Sequence, residues 1–186
     1  MMDKKKNSIP LVGIIGTLNS GKGALAQSFV DRGFVLRSFA DPVKEAVHFI
    51  FGIPKEILWG PSENRTGTIR QMLQELGTDY ARKFRPTVWV DKMEQFILEQ
   101  PPTTSGIIIP DVRFVNEAEM LVRNGAVLIR IFRDGCGDHE SVRATQHESE
   151  TENEKIPHNW VRFTVNNSGT LDELRSAGAS IIKELL

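Results

Sequence analysis

The sequence predicts an α/β fold in which a central parallel sheet of five strands is flanked by helices. Short apolar runs alternate with segments of helical periodicity, as in sheets whose parallel strands are joined by crossover helices. The run Gly106–Ile109 is continuously apolar, as expected of a central strand that is buried on both faces. A length of 186 residues suffices for one sizeable core, so we predict a single domain over residues 1–186.

The order of the elements follows from local patterns. The strands are expected at 11–15, 34–39, 106–109, 126–132 and 161–165, and the helices at about 22–32, 42–50, 68–76, 87–99, 115–124 and 170–186. Several helices therefore form an insertion at about 42–100, between the second and third strands. The polar, acidic stretch at about 134–158 shows little periodicity and is expected to be a lid-like segment.

The composition limits the classes of partner that we expect this chain to bind. The formal net charge is −1 and the charges are mixed, so we expect no nucleic-acid partner. No apolar run approaches the length that crosses a bilayer, so we expect no membrane partner. A single cysteine excludes an internal disulfide and fits the reducing cytoplasm, which would be the host's if the chain is phage-encoded.

The stretch Gly16–Gly23 reads Gly-Thr-Leu-Asn-Ser-Gly-Lys-Gly and has the spacing of a phosphate-binding loop. It follows the apolar strand 11–15 and precedes a helix, which is the context that such a loop requires. Gly16 and Gly21 allow the backbone to curl, and Lys22 supplies a charge for the terminal phosphates. The stretch predicts a nucleoside triphosphate site; the alternative is a chance glycine-rich turn between strand and helix.

Gly23 departs from the usual pattern, in which a Ser or Thr hydroxyl ligates Mg²⁺. The ending Gly-Lys-Gly is similar to that of adenylate-kinase-like small-molecule kinases. We assign ATP binding to the loop and its surroundings: Gly16, Leu18, Asn19, Ser20, Gly21, Lys22, Gly23, Ala24 and Arg133.

Candidates for the remaining chemistry should lie at the carboxyl ends of the strands, beside this loop. Asp111 follows the third strand and either holds Mg²⁺ through water, hydrogen-bonds a substrate or caps a helix. Arg113, two residues on, either clamps a phosphate or forms a surface ion pair. Asp41 is either the N-cap of a helix that begins with Pro42 or a substrate contact, and Lys44 lies one turn into that helix.

Further candidates lie in the insertion and around the lid-like segment. Arg70 faces either an acceptor or solvent, while Trp89 has the spacing of a core residue, with base stacking as the alternative. Arg133 and Arg143 flank the lid-like segment, where an arginine could close over phosphates and exclude water. The predicted catalytic residues are Lys22, Asp111, Arg113 and Arg143.

Taken together, these segments resemble the phage-type deoxynucleoside monophosphate kinase family. The resemblance rests on Gly16–Gly23, Ser38–Lys44, Arg70–Asp79, Trp89-Val90, Pro110–Arg113 with Asn116-Glu117, and His147–Glu150, in this order. It implies a P-loop kinase fold, often a homodimer, and transfer of the γ-phosphoryl group of ATP to a deoxynucleoside monophosphate with Mg²⁺. On this reading the substrate-binding residues are Asp41, Lys44, Arg70, Trp89, Asp111, Arg113 and Glu117.

Two alternatives remain open at this point. One is another small-molecule P-loop kinase, such as a dephospho-coenzyme A kinase. The other is a non-catalytic nucleotide-binding switch, which the sequence disfavours because it has no Asn-Lys-x-Asp motif for guanine and no Asp-x-x-Gly after the third strand.

Overall fold

A computed structural model describes residues 9–61, 64–134 and 152–186. The predicted lid residue Arg143 and most of the lid-like segment at 134–158 therefore lie outside the described residues. Within them, the strands are β1 (Leu11–Ile15), β2 (Val35–Leu36), β3 (Ile107–Val112), β4 (Val127–Phe132) and β5 (Val161–Asn166).

In the sequence, the described helices lie between and after these strands. They are α1 (Lys22–Val30), α2 (Asp41–Phe51), α3 (Lys55–Leu58), α4 (Gly67–Gln74), α5 (Ala81–Phe84), α6 (Val88–Glu99), α7 (Val115–Arg123) and α8 (Leu171–Leu185), with a π-helical turn at Glu75–Tyr80 and 3₁₀ turns at Glu152–Lys155 and His158–Trp160.

The five strands form one parallel sheet in the order β2-β3-β1-β4-β5, which confirms the predicted fold class. β1 lies between β3 and β4, and all five of its residues are buried because α1 and α8 cover one face of the sheet and α7 covers the other. Consecutive strands β1 and β2 are separated by β3, so the connections cross over the sheet as parallel pairing requires.

Contacts divide the chain into two compact units, Met1–Arg37 with Ile97–Leu186, and Ser38–Phe96. The first unit, called the sheet unit below, contains all five strands. A hydrophobic core of this unit joins one face of the sheet to α1 and α8. It includes Val12, Ile14, Leu25, Ala26, Phe29, Phe34, Ile108, Ile129, Ile131, Val165, Leu174, Ile181 and Ile182. Phe29 and Phe34 meet edge to face, with ring centroids 5.4 Å apart.

The opposite face of the sheet unit is closely packed around Gly13. A Cβ atom on Gly13 would lie 2.7 Å from Cδ2 of Leu128 and 2.9 Å from Cδ1 of Leu121, so α7 approaches β1 too closely for a side chain there. Arg130 of β4 donates to the carbonyl oxygen of Ile156 over 3.1 Å and so holds the chain that follows the first 3₁₀ turn. Burial lowers the pKa of Arg130, and the charge of Glu154 opposes that shift.

The second unit, called the helical unit below, has an apolar cluster of its own. Val47, Leu58 and Ile69 are buried together, with Ile53, Ile57, Leu73 and Leu76 packed against them. The π-helical turn interrupts the helix between α4 and α5, and its Gly77 carbonyl accepts a hydrogen bond of 2.6 Å from Nε1 of Trp89. The predicted insertion at about 42–100 overlaps this unit, and a single domain over 1–186 stays a prediction.

Two strands differ in length from the prediction. β2 has two residues instead of six. The N–H groups of Val35 and Arg37 donate toward β3, whereas the N–H of Ser38, on the outer side of this edge strand, donates to the Asp41 carboxylate as the chain turns into α2. β3 continues to Val112 instead of ending at Ile109. Pro110, which has no N–H, falls at an irregularity in the pairing with β1, where a strand tolerates proline.

One helix start also differs. The side chain of Thr66 accepts a hydrogen bond from the N–H of Ile69, so the N-cap of α4 lies two residues before the predicted cap at Thr68. Thr66 has the extended backbone of an N-cap residue, with φ −60° and ψ 165°.

We predict that Leu25→Ala lowers the free energy of unfolding by about 2–5 kcal/mol, because it leaves a cavity between α1 and the sheet. Leu25 is fully buried, whereas Leu171 at the start of α8 is half exposed, so Leu171→Ala is the matched control and should cost about 1 kcal/mol or less. Urea unfolding measures both, and equal losses would contradict the described core.

Candidate functional site

The loop Gly16–Gly23 leads from β1 into α1. Asn19 and Gly21 both have left-handed backbone conformations, with φ of 61° and 99°. Asn tolerates this region better than most residues, and glycine occupies it without strain. The N–H of Ser20 closes the turn on the carbonyl oxygen of Thr17 at 3.3 Å.

Gly16 has no room for a side chain. A Cβ atom there would lie 2.5 Å from the carbonyl oxygen of Ile131 and 2.7 Å from Oγ of Ser20. Ser20 is fully buried, and its Oγ has no hydrogen-bond partner in the part of the chain that the structure describes. The backbone of Gly16 is therefore packed against β4 and against the buried hydroxyl of Ser20.

The loop carries positive potential. Nζ of Lys22 donates to the carbonyl oxygens of Gly16, at 2.8 Å, and of Thr17, so the amine lies over the loop itself. Lys22 is also the first residue of α1, whose first turn contains no acidic side chain to offset the positive end of the helix dipole. Backbone N–H groups, the helix end and an ammonium group together make a site for phosphate.

Asn167 is a part of this site that the sequence analysis missed. It follows β5, is 8% exposed, and its Nδ2 donates to the carbonyl oxygen of Ser20 over 2.9 Å. Its own backbone N–H donates to the carbonyl oxygen of Phe132 over 2.8 Å. The available signal was position: Asn167 follows the carboxyl end of a parallel strand, where ligand sites of such sheets lie.

Asp111 and Arg113 lie at the same end of the sheet as the loop. Val112, between them, pairs with Ile15, which directly precedes Gly16. Both side chains are partly buried. The register therefore brings the two predicted residues to the strand end beside the phosphate loop.

Glu117 is 2% exposed, and its carboxylate accepts hydrogen bonds from the backbone. Oε2 accepts from the N–H of Arg113 at 2.8 Å and from the N–H of Phe114 at 3.1 Å. These two bonds close the start of α7, so the described contacts of Glu117 position the backbone of Arg113. Its predicted contact with substrate stays a prediction.

The described residues offer a magnesium ion few ligands of their own. Within 9–61, 64–134 and 152–186 no three His, Cys, Asp or Glu side chains form a group that could hold a metal. Gly23 has no hydroxyl, and no atom lies within 4 Å of the place its Cβ would take. The carboxylate of Asp111 is the type of ligand that Mg²⁺ accepts together with phosphates and water, and its role in holding the ion stays a prediction.

In the helical unit, Asp41 is the centre of a polar cluster. Asp41 is 5% exposed, and its carboxylate accepts from the Ser38 N–H at 2.8 Å and from Nε1 of Trp59 at 3.0 Å. Nζ of Lys44 lies 3.5 Å from Oδ1 of Asp41 and 5.4 Å from the centroid of the Trp59 ring. α2 begins at Asp41 itself, and Ala40 takes the N-cap position that was predicted for Asp41.

The other predicted residues have different surroundings. Arg70 is exposed, and its Nε donates to the carbonyl oxygen of Arg65 at 3.2 Å. Trp89 is 8% exposed and packs inside the helical unit, where its indole N–H bonds Gly77. Arg133 is exposed just after β4, and Leu18 is 51% exposed on the loop.

Comparison with known proteins identifies the family. The family model described as deoxynucleotide monophosphate kinase matches residues 55–177. The chain belongs to the deoxynucleotide monophosphate kinase family. It is also 31% identical, over 185 residues, to a protein of Acanthamoeba polyphaga mimivirus named "Putative deoxynucleotide monophosphate kinase", with 89% of this chain and 92% of the relative covered. The resemblance stated from the sequence is thus confirmed, and the chain is a phosphotransferase of the kinase class.

Solved structures of other proteins share the fold of this chain. A dephospho-CoA kinase from Campylobacter jejuni superposes with a TM-score of 0.54 at 13% identity, covering 95% of this chain and 97% of the other. The protein TT1252 from Thermus thermophilus superposes with a TM-score of 0.57 at 14% identity, covering 96% of this chain and 98% of the other.

Among the described residues, no helix is both long and apolar enough to cross a membrane.

We predict that Glu117→Ala lowers the free energy of unfolding by about 1–3 kcal/mol, because two backbone N–H groups lose their acceptor. Glu119→Ala, two residues away on the exposed side of α7, is the control and should change stability by about 0.5 kcal/mol or less. Urea unfolding and steady-state kinetics are measured on both variants. Unchanged stability together with lost turnover in Glu117→Ala would instead assign Glu117 to the substrate.

Proposed function

We propose that this protein transfers the γ-phosphoryl group of ATP to a deoxynucleoside monophosphate and so forms ADP and a deoxynucleoside diphosphate. The observation that carries the proposal is the phosphate loop between β1 and α1, with Lys22 over it and Asp111 and Arg113 at the neighbouring strand end. Membership of the deoxynucleotide monophosphate kinase family supports the choice of acceptor.

On the donor side, the loop binds the triphosphate. Lys22 exchanges its hydrogen bonds with the Gly16 and Thr17 carbonyls for bonds with phosphate oxygens. The N-terminus of α1 adds the attraction of its dipole for the same anion. Removal of one such preorganised donor typically costs about 3–4 kcal/mol of transition-state stabilisation.

On the acceptor side, the attacking atom is an oxygen of the monophosphate. A phosphate monoester is largely a dianion at neutral pH, since its second pKa is about 6. Its oxygen therefore attacks the γ-phosphorus without a general base, as the bond from that phosphorus to the bridging oxygen of ADP breaks. Catalysis then consists of positioning and of neutralising charge, which Arg113 does beside the loop.

Mg²⁺ bound with ATP would supply further neutralisation of phosphate charge, and Asp111 would hold it through water. Asp41, Lys44, Arg70 and Trp89 remain the proposed acceptor residues of the helical unit. The same proposal places the enzyme in the cytoplasm, with ATP and a deoxynucleoside monophosphate as its partners, and includes a homodimer as its assembly.

We predict diphosphate formation from at least one of the four common deoxynucleoside monophosphates when ATP and Mg²⁺ are present. Product is measured by chromatography, with the matching ribonucleotides and dephospho-coenzyme A as parallel acceptors. Transfer to dephospho-coenzyme A alone would replace the proposed acceptor. ATP binding without transfer to any acceptor would favour a nucleotide-dependent switch.

We predict that Lys22→Ala lowers kcat/KM by at least about 100-fold, because the loop loses the cation that moves onto the phosphates. Lys183→Ala removes a cation from the far end of α8 and serves as the control, with activity expected within about twofold of the wild type. Circular dichroism checks that both variants fold. Full activity in folded Lys22→Ala would refute the assignment of the loop.

A further inference from the structure

The chain segment after β5 is hydrogen-bonded to the phosphate loop. Asn167 is joined to β4 through its N–H bond to the Phe132 carbonyl oxygen, at 2.8 Å, and to the loop through its Nδ2 bond to the Ser20 carbonyl oxygen, at 2.9 Å. Because a carbonyl oxygen only accepts, the amide nitrogen of Asn167 must face Ser20. The side chain is 8% exposed, so water competes little for this bond.

The fit between Asn167 and the loop is close. A Cβ atom on Gly21 would lie 2.2 Å from Nδ2 of Asn167 and 3.5 Å from Cδ2 of Leu174. The space beside the Gly21 backbone is therefore occupied by the Asn167 amide. Gly21 is required here by this contact as well as by its φ of 99°.

The bond to Ser20 also fixes the direction of a neighbouring donor. The carbonyl of Ser20 and the N–H of Gly21 belong to one planar peptide unit, which is trans like the other described peptides, so the two groups point in opposite directions. As long as Asn167 holds the Ser20 oxygen on its own side, the Gly21 N–H points to the opposite side of the loop. In loops of this kind, backbone N–H groups bind the phosphates.

We propose that Asn167 is a positioning residue for the nucleotide: it orients the Ser20–Gly21 peptide so that the Gly21 N–H donates to a phosphate of ATP. The proposal rests on the proposed function only in taking ATP as the bound nucleotide. Asn167 acts through the loop backbone and touches neither the reacting atoms nor the acceptor. Its loss therefore weakens ATP binding and leaves the intrinsic affinity for the acceptor unchanged.

Two substitutions test the proposal, each with a matched control one residue away. Asn167→Ala removes the donor without adding charge, and Asn167→Asp keeps the shape but turns the donor into an acceptor that repels the Ser20 oxygen. Asn166 is exposed, and within the described residues its Oδ1 accepts from the nearby N–H of Ser168 at 2.9 Å, so Asn166→Ala and Asn166→Asp are the controls. Calorimetry measures the dissociation constants of ATP and of the deoxynucleoside monophosphate.

We expect Asn167→Ala to weaken ATP binding about tenfold, the effect of one lost hydrogen bond, and Asn167→Asp to weaken it further. Acceptor binding in both variants, and ATP binding in both Asn166 variants, should stay within about twofold of the wild type. Unchanged ATP affinity in folded Asn167→Ala would overturn the proposal. An equal loss of ATP and acceptor binding would also overturn it, since it would indicate a general structural role.

A measurement on the wild-type chain covers the case in which the variants do not fold. In ¹⁵N-labelled protein, the Gly21 amide proton should shift downfield on addition of ATP, as expected of a proton that gains a charged acceptor. Absence of any shift at saturating ATP would overturn the proposal. If the wild type binds ATP but phosphorylates no monophosphate, the proposed function fails, whereas the effect of Asn167 on ATP affinity is judged independently.

Discussion

The parallel pairing of β1 with β3 and β4 is the constraint on which the candidate site depends. Register on one side sets Val112 beside Ile15, so Asp111 and Arg113 end where the phosphate loop begins. Register on the other side sets Ile131 beneath Gly16, where only a glycine fits. The buried apolar strands thus define the positions of polar groups that lie outside the core. A one-residue slip of β1 would separate these groups and would also bring a larger residue to the place of Gly13, where a side chain has no room.

The groups around the loop favour an anion before any anion is bound. Its lysine is held by carbonyl oxygens that belong to the loop, and its helix end has no carboxylate in the first turn. Binding of phosphate therefore replaces the carbonyl partners of Lys22 in the loop by charged ones. Such preorganisation reduces the free-energy cost of rearrangement during phosphoryl transfer.

The sequence predicts the features that depend on local patterns. The strand 11–15, the turn with Gly21 and the helix that follows appear in one short stretch, so glycine spacing and apolar runs suffice to locate the loop. The extent of β2 and β3 was predicted less well. At Ser38, whose N–H donates to the Asp41 carboxylate, the chain already turns from β2 into α2, and in β3 an irregular pairing admits Pro110. Asn167 was missed because it contacts a residue 147 positions away, and no local pattern encodes a contact of that range.

The carboxylate of Asp41 has a consequence for reading related sequences. It receives the first backbone N–H after the β2 ladder, starts α2, and holds the Trp59 indole, all where the helical unit begins. Selection for folding alone would therefore preserve an acid at this position. An invariant Asp41 in an alignment of relatives would not by itself distinguish a residue that recognises substrate from one that maintains the architecture.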